Sequence, residues 1–142
     1  MTMALQYDSL RKSLNALAEV AAVSGNDERM GQLTDIERVA IRAGVVQHFE
    51  ITYELCWKLI ARWLNANISP GIADGVTRRQ LFRFAAENRL ISDVEAWMGH
   101  HDGRNATSHI YDFDKAEAVY RATVDFVHDA RALLRALEAR ND

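Results

Sequence analysis

TDIERVAIRAGVVQHFEITYELCWKLIARWLN, residues 34–65, is the stretch that decides the fold. Thr34 and Glu37 have the spacing of a capping box, in which each side chain accepts a hydrogen bond from the other residue's backbone N–H. Apolar residues then recur every three or four positions with no proline among them, which predicts a helix from about Asp35 to Asn65. At the usual rise per residue this helix would be roughly 45 Å long. We therefore expect it to be the spine of a helical bundle.

Helical spacing continues on both sides of this stretch, since the chain has only one proline and seven glycines and shows no strand alternation. A first helix should end at Ser24-Gly25-Asn26-Asp27, with a loop to about Gln32, and its apolar stripe comprises Tyr7, Leu10, Leu14, Leu17 and Ala21. A last helix should open at Asp114 with Glu117 as a capping pair, and should pack through Val119, Phe126, Val127, Ala130, Leu133 and Leu137.

Two short helices are predicted between the long ones. The chain should reverse over residues 67–75, because Ser69-Pro70-Gly71 opposes helix continuation. Thr77 with Gln80 is expected to cap the first short helix, and Ser92 with Glu95 the second. Long helices with short connections bury their apolar stripes most simply side by side. The sequence therefore predicts an all-α fold, an antiparallel four-helix-type bundle with additional short helices, in a single domain of residues 1–142.

Composition and charge exclude several classes of protein. No apolar run approaches the roughly 20 residues that a membrane span needs, so we expect no membrane partner. The start of the chain, MTMALQYDSLRKSLNAL, lacks the apolar region of a signal peptide, which favours a cytoplasmic protein. A net charge of -3 argues against a broadly basic nucleic-acid coat, although 14 of the 17 cations are arginines, which favour local phosphate or carboxylate contacts. Cys56 has no disulfide partner and should be buried.

A polar segment, GHHDGRNATSHIY at residues 99–111, lies between two amphipathic helices and holds three of the five histidines. Arg104 and His109 are five positions apart and would point about 140° apart on a continuous helix. Either the helix loosens near Thr107, or the two side chains reach round a shared cleft. Asn105 and His109 share a helix face, so the amide of Asn105 could orient the imidazole.

Arginine and histidine together suit the cleavage of RNA by its own 2′-hydroxyl group. Histidine moves protons near neutral pH, and arginine compensates the charge of the phosphorane. The spacing alone favours an exposed loop, with a solvated arginine and a capping histidine. His100, His101 and Asp102 are adjacent, and neighbours on a helix diverge by about 100°. We therefore expect a solvated loop there, with no metal site and no cofactor.

Two segments resemble one known family. Residues 104–111, RNATSHIY, resemble the R-x4-H-x-Y motif of HEPN domains that are encoded beside a minimal nucleotidyltransferase, the MNT partner, including the polar residue directly after the arginine. Residues 47–58, QHFEITYELCWK, resemble the long-helix signature of the branch called nucleotidyltransferase substrate-binding proteins. The resemblance runs from about Thr34 to the C-terminus, with the Ser69-Pro70 turn and Trp97 in the expected order.

The resemblance implies a helical bundle that forms a homodimer, with the arginine and histidine of both protomers lining one cleft. Some members are metal-independent ribonucleases that act as toxins, and the MNT antitoxin silences them by transferring AMP to the motif tyrosine. Carried over to this chain, Arg104 would bind the scissile phosphate and His109 would transfer protons. Asn105 would position them, and Tyr111 would receive AMP. The implied partners are a second copy of the chain, an MNT-type nucleotidyltransferase and RNA.

The sequence leaves two functions open: an RNA-cleaving toxin, or a non-catalytic subunit that binds a substrate for the partner transferase. Glu54 and Lys58 have the spacing of a surface ion pair. If they and Glu50 face the cleft, they would instead tune His109 or hold Arg104. A basic group on one short helix would either contact RNA phosphates or form a solvated face, and it comprises Arg78, Arg79, Arg83 and Arg89.

Overall fold

Six helices lie in the part of the chain that the structure, a computed structural model, describes, namely residues 5–107 and 113–140. They are α1 (Asp8–Ser24), α2 (Asp27–Gly31), α3 (Asp35–Asn67), α4 (Arg78–Glu87), α5 (Val94–Ala106) and α6 (Phe113–Ala139). Since these residues contain no strand, the predicted all-α fold is confirmed. None of the described helices has the length and apolar character needed to cross a membrane.

The start of α3 is fixed by the predicted capping box. The Thr34 hydroxyl accepts a hydrogen bond from the Glu37 N–H at 3.2 Å, and the Glu37 carboxylate accepts one from the Thr34 N–H at 2.9 Å. The bond from the Thr34 backbone lowers the pKa of Glu37, because it stabilises the charged carboxylate. Thr77 caps α4 as predicted, accepting from the Gln80 N–H at 3.1 Å.

Two predictions about the shorter helices were wrong. The loop expected after α1 contains α2, whose first turn is capped by the Asn26 side chain accepting from the Arg29 N–H at 3.0 Å. The cap of α5 is Asp93, not Ser92, and its carboxylate accepts from the Ala96 N–H at 3.1 Å. A carboxylate both accepts this bond and interacts favourably with the positive end of the helix dipole. The side chains of the predicted α6 positions Asp114, Glu117 and Val119 lie outside the described residues.

Helices α1 and α3 run antiparallel. The Ser13 hydroxyl meets the Thr52 hydroxyl at 2.6 Å in the first half of α1. Toward the end of α1, Val20 lies 3.5 Å from where a Cβ on Gly44 would be. Residue numbers thus rise along α1 as they fall along α3, which is the arrangement that a short connection between long helices produces.

Helices α3 and α6 run in the same direction. Phe49 packs edge-on against Phe126, with ring centroids 4.9 Å apart. Farther along both helices, the indole N–H of Trp63 donates to the carbonyl of Arg140 at 3.2 Å. α5 packs against both and runs antiparallel to α3, since Tyr53 contacts His101, and Phe49 lies 3.6 Å from where a Cβ on Gly103 would be. The four longer helices therefore form the predicted antiparallel bundle, with each one reversing the direction of the one before.

The core lies where α1, α3 and α6 meet. Cys56 is fully buried, as predicted, and burial raises the pKa of its thiol. Phe126 is also fully buried, and its ring contacts aromatic side chains of both α3 and α5. The largest fully buried aliphatic side chains include Leu10, Leu14, Leu17, Ile60, Leu64, Leu133 and Leu137. The middle of α3 and the end of α5, which carry the candidate site, thus rest on a close-packed core.

Candidate functional site

Arg104 lies in the last turn of α5, which ends at Ala106. The N–H and the hydroxyl of Thr107 both donate to the Arg104 carbonyl, the hydroxyl at 2.7 Å. The Arg104 guanidinium in turn donates to the Thr107 hydroxyl at 3.3 Å. The helix therefore ends near Thr107, which is the first of the two alternatives left open by the sequence. The two later motif residues, His109 and Tyr111, lie outside the described residues.

Two carboxylates of α3 face Arg104. Its Nη2 lies 3.8 Å from Glu50 Oε2, and its Nε lies 3.7 Å from Glu54 Oε1. Glu50 and Glu54 are one helical turn apart, so both reach the same guanidinium. At these distances the contacts are ion pairs and not hydrogen bonds. The buried Nε of Arg104 has no hydrogen-bond partner among the described residues.

Glu54 is the more constrained of the two carboxylates, because it also has partners on its own helix. Its Oε2 accepts a hydrogen bond from the Trp57 indole at 3.0 Å and lies 4.0 Å from the Lys58 ammonium. The predicted pair of Glu54 and Lys58 is thus present, although both side chains are partly exposed and such a pair stabilises a fold by less than about 1 kcal/mol. Glu54 and Lys58 belong to an open groove beside Arg104. The groove is lined by Glu50, Ile51, Glu54, Leu55, Lys58 and Arg104.

His101 is a neighbour of Arg104 that the sequence analysis did not assign to the site. Its Nδ1 lies 2.7 Å from the Tyr53 hydroxyl, and its Nε2 lies 3.3 Å from the side-chain nitrogen of Asn105. Burial lowers the pKa of His101, and the positive charges of Arg78 and Arg104 act in the same direction. The local signal was available, since His101 precedes Asn105 by four positions and therefore shares its helix face.

His100 corrects the expectation of a solvated loop at His100, His101 and Asp102. All three residues lie within α5, and His100 is only 7% exposed. Its Nε2 lies 2.6 Å from the Asp129 carboxylate of α6, and its ring packs edge-on against Phe126. The prediction failed because the partners of this polar segment come from a helix distant in the sequence. Among the described residues, no group of three or more His, Cys, Asp or Glu side chains is arranged to hold a metal ion.

The four arginines in and after α4 have different surroundings in the structure. The Arg78 guanidinium stacks on the Trp57 ring, with its central carbon 3.6 Å from the ring centroid. Arg79 forms an ion pair with Glu95 on α5. Arg83 and Arg89 are exposed. Arg78 therefore belongs to the surroundings of Tyr53 and His101, whereas Arg83 and Arg89 are exposed, which fits both RNA contact and a solvated face.

Residues 5–139, almost the whole chain, match the family model described as "Nucleotidyltransferase substrate binding protein like". The chain belongs to the HEPN-type family of nucleotidyltransferase substrate-binding proteins. The family that the two sequence segments indicated is thus confirmed.

A curated protein sequence and a solved structure, both from Haemophilus influenzae, resemble the chain over nearly their full lengths. One, named probable ribonuclease HepT, is 31% identical over 142 residues, which are 99% of this chain and 97% of that protein. The other is a solved structure that reveals the fold of a substrate-binding domain of a nucleotidyltransferase. It has a TM-score of 0.89 and 29% identity, and the match covers 94% of this chain and 99% of that one. The fold is therefore shared over 94% of this chain.

Proposed function

We propose that this HEPN-type protein is a metal-independent endoribonuclease that cleaves RNA at a site shared by two protomers. The observation that carries the proposal is Arg104, held at the end of α5 between Glu50 and Glu54 and placed five residues before His109. The relative named probable ribonuclease HepT supports the same activity. No metal or cofactor is required, because the 2′-hydroxyl of RNA is itself the nucleophile.

Each motif residue has a part in the proposed reaction. Arg104 binds the scissile phosphate and compensates the charge that grows on it as the 2′-oxygen attacks. His109 removes the proton of the attacking hydroxyl or supplies one to the leaving 5′-oxygen. Asn105 positions these groups. Glu50 and Glu54 hold the guanidinium of Arg104 in place, and its terminal Nη groups receive the phosphate.

A homodimer supplies what one protomer lacks. Acid–base cleavage uses two proton-handling groups, and each chain brings one His109. Ile51, which is 46% exposed, lies in the groove beside Arg104 and gives this face an apolar element that a second protomer would cover. We therefore propose that the two copies meet along the α3 face that carries Glu50 and Ile51, which brings both copies of Arg104 to one cleft.

Control is proposed to come from an MNT-type nucleotidyltransferase, with the pair working in the cytoplasm as a toxin and its antitoxin. Transfer of AMP to the Tyr111 hydroxyl would add bulk and negative charge two residues after His109. Both effects oppose the entry of an RNA phosphate. The family description, which couples these proteins to a nucleotidyltransferase, supports such a partner.

The activity is tested by incubating the purified protein with total RNA in EDTA. We expect wild-type protein to cleave, and His109→Ala and Arg104→Ala each to lose about a hundredfold or more in rate, since both remove groups that act in the transition state. Arg135→Ala, a change on the far side of α6, is the matched control and should keep full activity. The helical circular dichroism should stay unchanged in all three. Full activity in the His109 and Arg104 variants would contradict the proposal.

The control by AMP has its own test. Incubation with the neighbouring transferase and ATP should raise the mass of the protein by units of AMP and stop RNA cleavage. Tyr111→Phe should stay unmodified and active. An unchanged mass, or a modification mapped to Tyr7, Tyr53 or Tyr120, would contradict the assignment of Tyr111.

A second function is favoured by the solved relative, which reveals the fold of a substrate-binding domain of a nucleotidyltransferase. In that case the groove beside Arg104 would hold a substrate for the partner and no RNA would be cut. The two functions separate in one experiment. A binding subunit would raise the activity of the transferase, lose this effect in Arg104→Ala, and leave RNA intact at every protein concentration.

A further inference from the structure

We propose that His101 is a positioning residue, which is held by Tyr53 and in turn fixes the side chain of Asn105 in the candidate site. This inference rests on the proposed function, because it assigns the support of a residue that acts in that reaction. His101 does not touch the RNA phosphate in this proposal. It acts only through Asn105.

The geometry connects two helices through one imidazole ring. Tyr53 on α3 lies 2.7 Å from Nδ1 of His101, and Asn105 lies 3.3 Å from Nε2, one turn farther along α5. Tyr53 itself is only 1% exposed and packs against Phe49 and Phe126, so its hydroxyl has a fixed place. The chain of contacts therefore runs from the buried core, through His101, to the edge of α5 where Asn105 is exposed.

The two contacts require a neutral imidazole with one proton. The amide nitrogen of Asn105 is a donor, so Nε2 of His101 accepts, and the ring proton is assigned to Nδ1, where it is donated to the Tyr53 oxygen. A doubly protonated ring would present a donor to the amide N–H at Nε2, so the Asn105 amide would have to turn its oxygen toward the ring to keep this contact. The ring thus holds the amide of Asn105 in one orientation only while it stays uncharged.

The surroundings of His101 favour this neutral form. Burial lowers the pKa of the ring, and Arg78 of α4 and Arg104 of α5 lower it further. Asp102 of α5 and Glu54 of α3 oppose this shift, but the result remains a lowered pKa. At neutral pH the imidazole is therefore uncharged, as the contacts with Tyr53 and Asn105 require.

Side-chain length gives a selective test of this arrangement. In His101→Gln the terminal amide reaches the place of Nε2 and can still bind Asn105, whereas in His101→Asn it reaches only the place of Nδ1. We expect His101→Asn and His101→Ala to lower kcat for RNA cleavage about tenfold with little change in KM, and His101→Gln to stay within about threefold of wild type. Tyr53→Phe, which keeps the ring and removes the hydroxyl, should lower kcat by about threefold. His128→Ala, at an exposed histidine of α6, is the control and should change neither constant.

A measurement without RNA makes the inference independent of the activity. In ¹⁵N NMR spectra, the side-chain amide signals of Asn105 should shift with pH as His101 titrates. The part of this dependence that follows the titration of His101 should vanish in His101→Ala and change in Tyr53→Phe. Asn105 signals that His101→Ala leaves unchanged would overturn the inference, as would equal losses of kcat in the Gln and Ala variants. If wild-type protein cleaves no RNA, the proposed function fails, and the NMR result alone decides whether His101 positions Asn105.

Discussion

Arg104 stands between two negative charges, and these set how strongly it can attract a phosphate. Glu50 and Glu54 lie within 3.8 Å of its guanidinium and repel any anion that approaches the groove. The same carboxylates keep the long side chain in one place, which an isolated arginine on a helix surface would not do. The two carboxylates therefore weaken the attraction of Arg104 for a phosphate. In return they keep its guanidinium oriented before the substrate binds.

This balance predicts the effect of removing one charge. Glu50→Gln should lower KM for RNA by about threefold, because one repulsive carboxylate is lost at a partly exposed position. The free energy of unfolding should change by less than about 1 kcal/mol. Steady-state cleavage at low and high salt measures the first effect, which should shrink as salt screens the charge. Glu19→Gln, at an exposed position of α1, is the matched control. A KM that rises in Glu50→Gln would mean that this carboxylate contributes to RNA binding.

The lowered pKa of His101 predicts that the free energy of unfolding depends on pH. Its pKa lies below the usual 6.5, first because of burial and then because of Arg78. The folded protein therefore disfavours the charged ring relative to the unfolded chain. The resulting stability is fully present above pH 6.5 and is lost as the pH falls through the lowered pKa.

Urea denaturation between about pH 7 and pH 5 should show the difference. The wild-type free energy of unfolding should fall more steeply than that of His101→Gln, which has no titrating ring at this position. His128→Gln should keep the wild-type slope. Parallel curves for wild type and His101→Gln would show that the ring does not titrate differently in the folded and unfolded states.

At the scale of the element, α3 begins where its capping box predicts. Thr34→Ala should lower the free energy of unfolding by about 1 kcal/mol, because it leaves the Glu37 N–H without its acceptor. Thr34→Ser keeps a hydroxyl at the cap and should lose much less. Thermal or urea unfolding of the three proteins measures the effect. A loss as large in Thr34→Ser as in Thr34→Ala would assign the effect to the threonine methyl group and not to the cap.

The helices themselves could be predicted because their signals are local. Apolar spacing and the capping residues Thr34 and Thr77 all lie within one or two turns of the feature that they indicate. The short helix α2 was missed because five residues give too little apolar periodicity to recognise. Ser92 was chosen over Asp93 because both can cap a helix, and the choice depends on which of them takes the extended backbone.

Only those parts of the candidate site that have a local sequence signal could be predicted. Arg104 and Asn105 came from a local motif, whereas contact of Glu50 and Glu54 with Arg104 was one of the alternatives that the sequence left open. The places of His100 and His101 depend on Asp129 and Tyr53, which are distant in sequence. No spacing within α5 indicates that α6 will supply a carboxylate to one histidine and α3 a hydroxyl to its neighbour.

At the scale of the whole molecule, one buried ring joins the core to the site. Phe126 of α6 packs edge-on against Phe49 of α3 and His100 of α5. These three helices carry every site residue that the structure describes. A rigid arrangement of α3, α5 and α6 is therefore what keeps Glu50 and Glu54 opposite Arg104, and the apolar core has a direct effect on the geometry of the charged groove.

Substitutions at two exposed apolar side chains would show which face of the protein forms the dimer interface. Ile51 and Val124 are both exposed apolar side chains, at 46% and 66%, but Ile51 lies beside Arg104 and Val124 lies in the groove between α1 and α6. If protomers pair along the α3 face, Ile51→Asp places an unpaired charge in the interface and should convert a dimer into monomers at micromolar concentration. Val124→Asp should leave the dimer intact. Sedimentation measures the oligomeric state of both variants.

RNA cleavage should be lost with the dimer in Ile51→Asp and should return at high protein concentration, because the variant changes association and not the chemistry of Arg104 or His109. Dissociation by Val124→Asp alone would place the interface on the α1–α6 side and separate it from the proposed site.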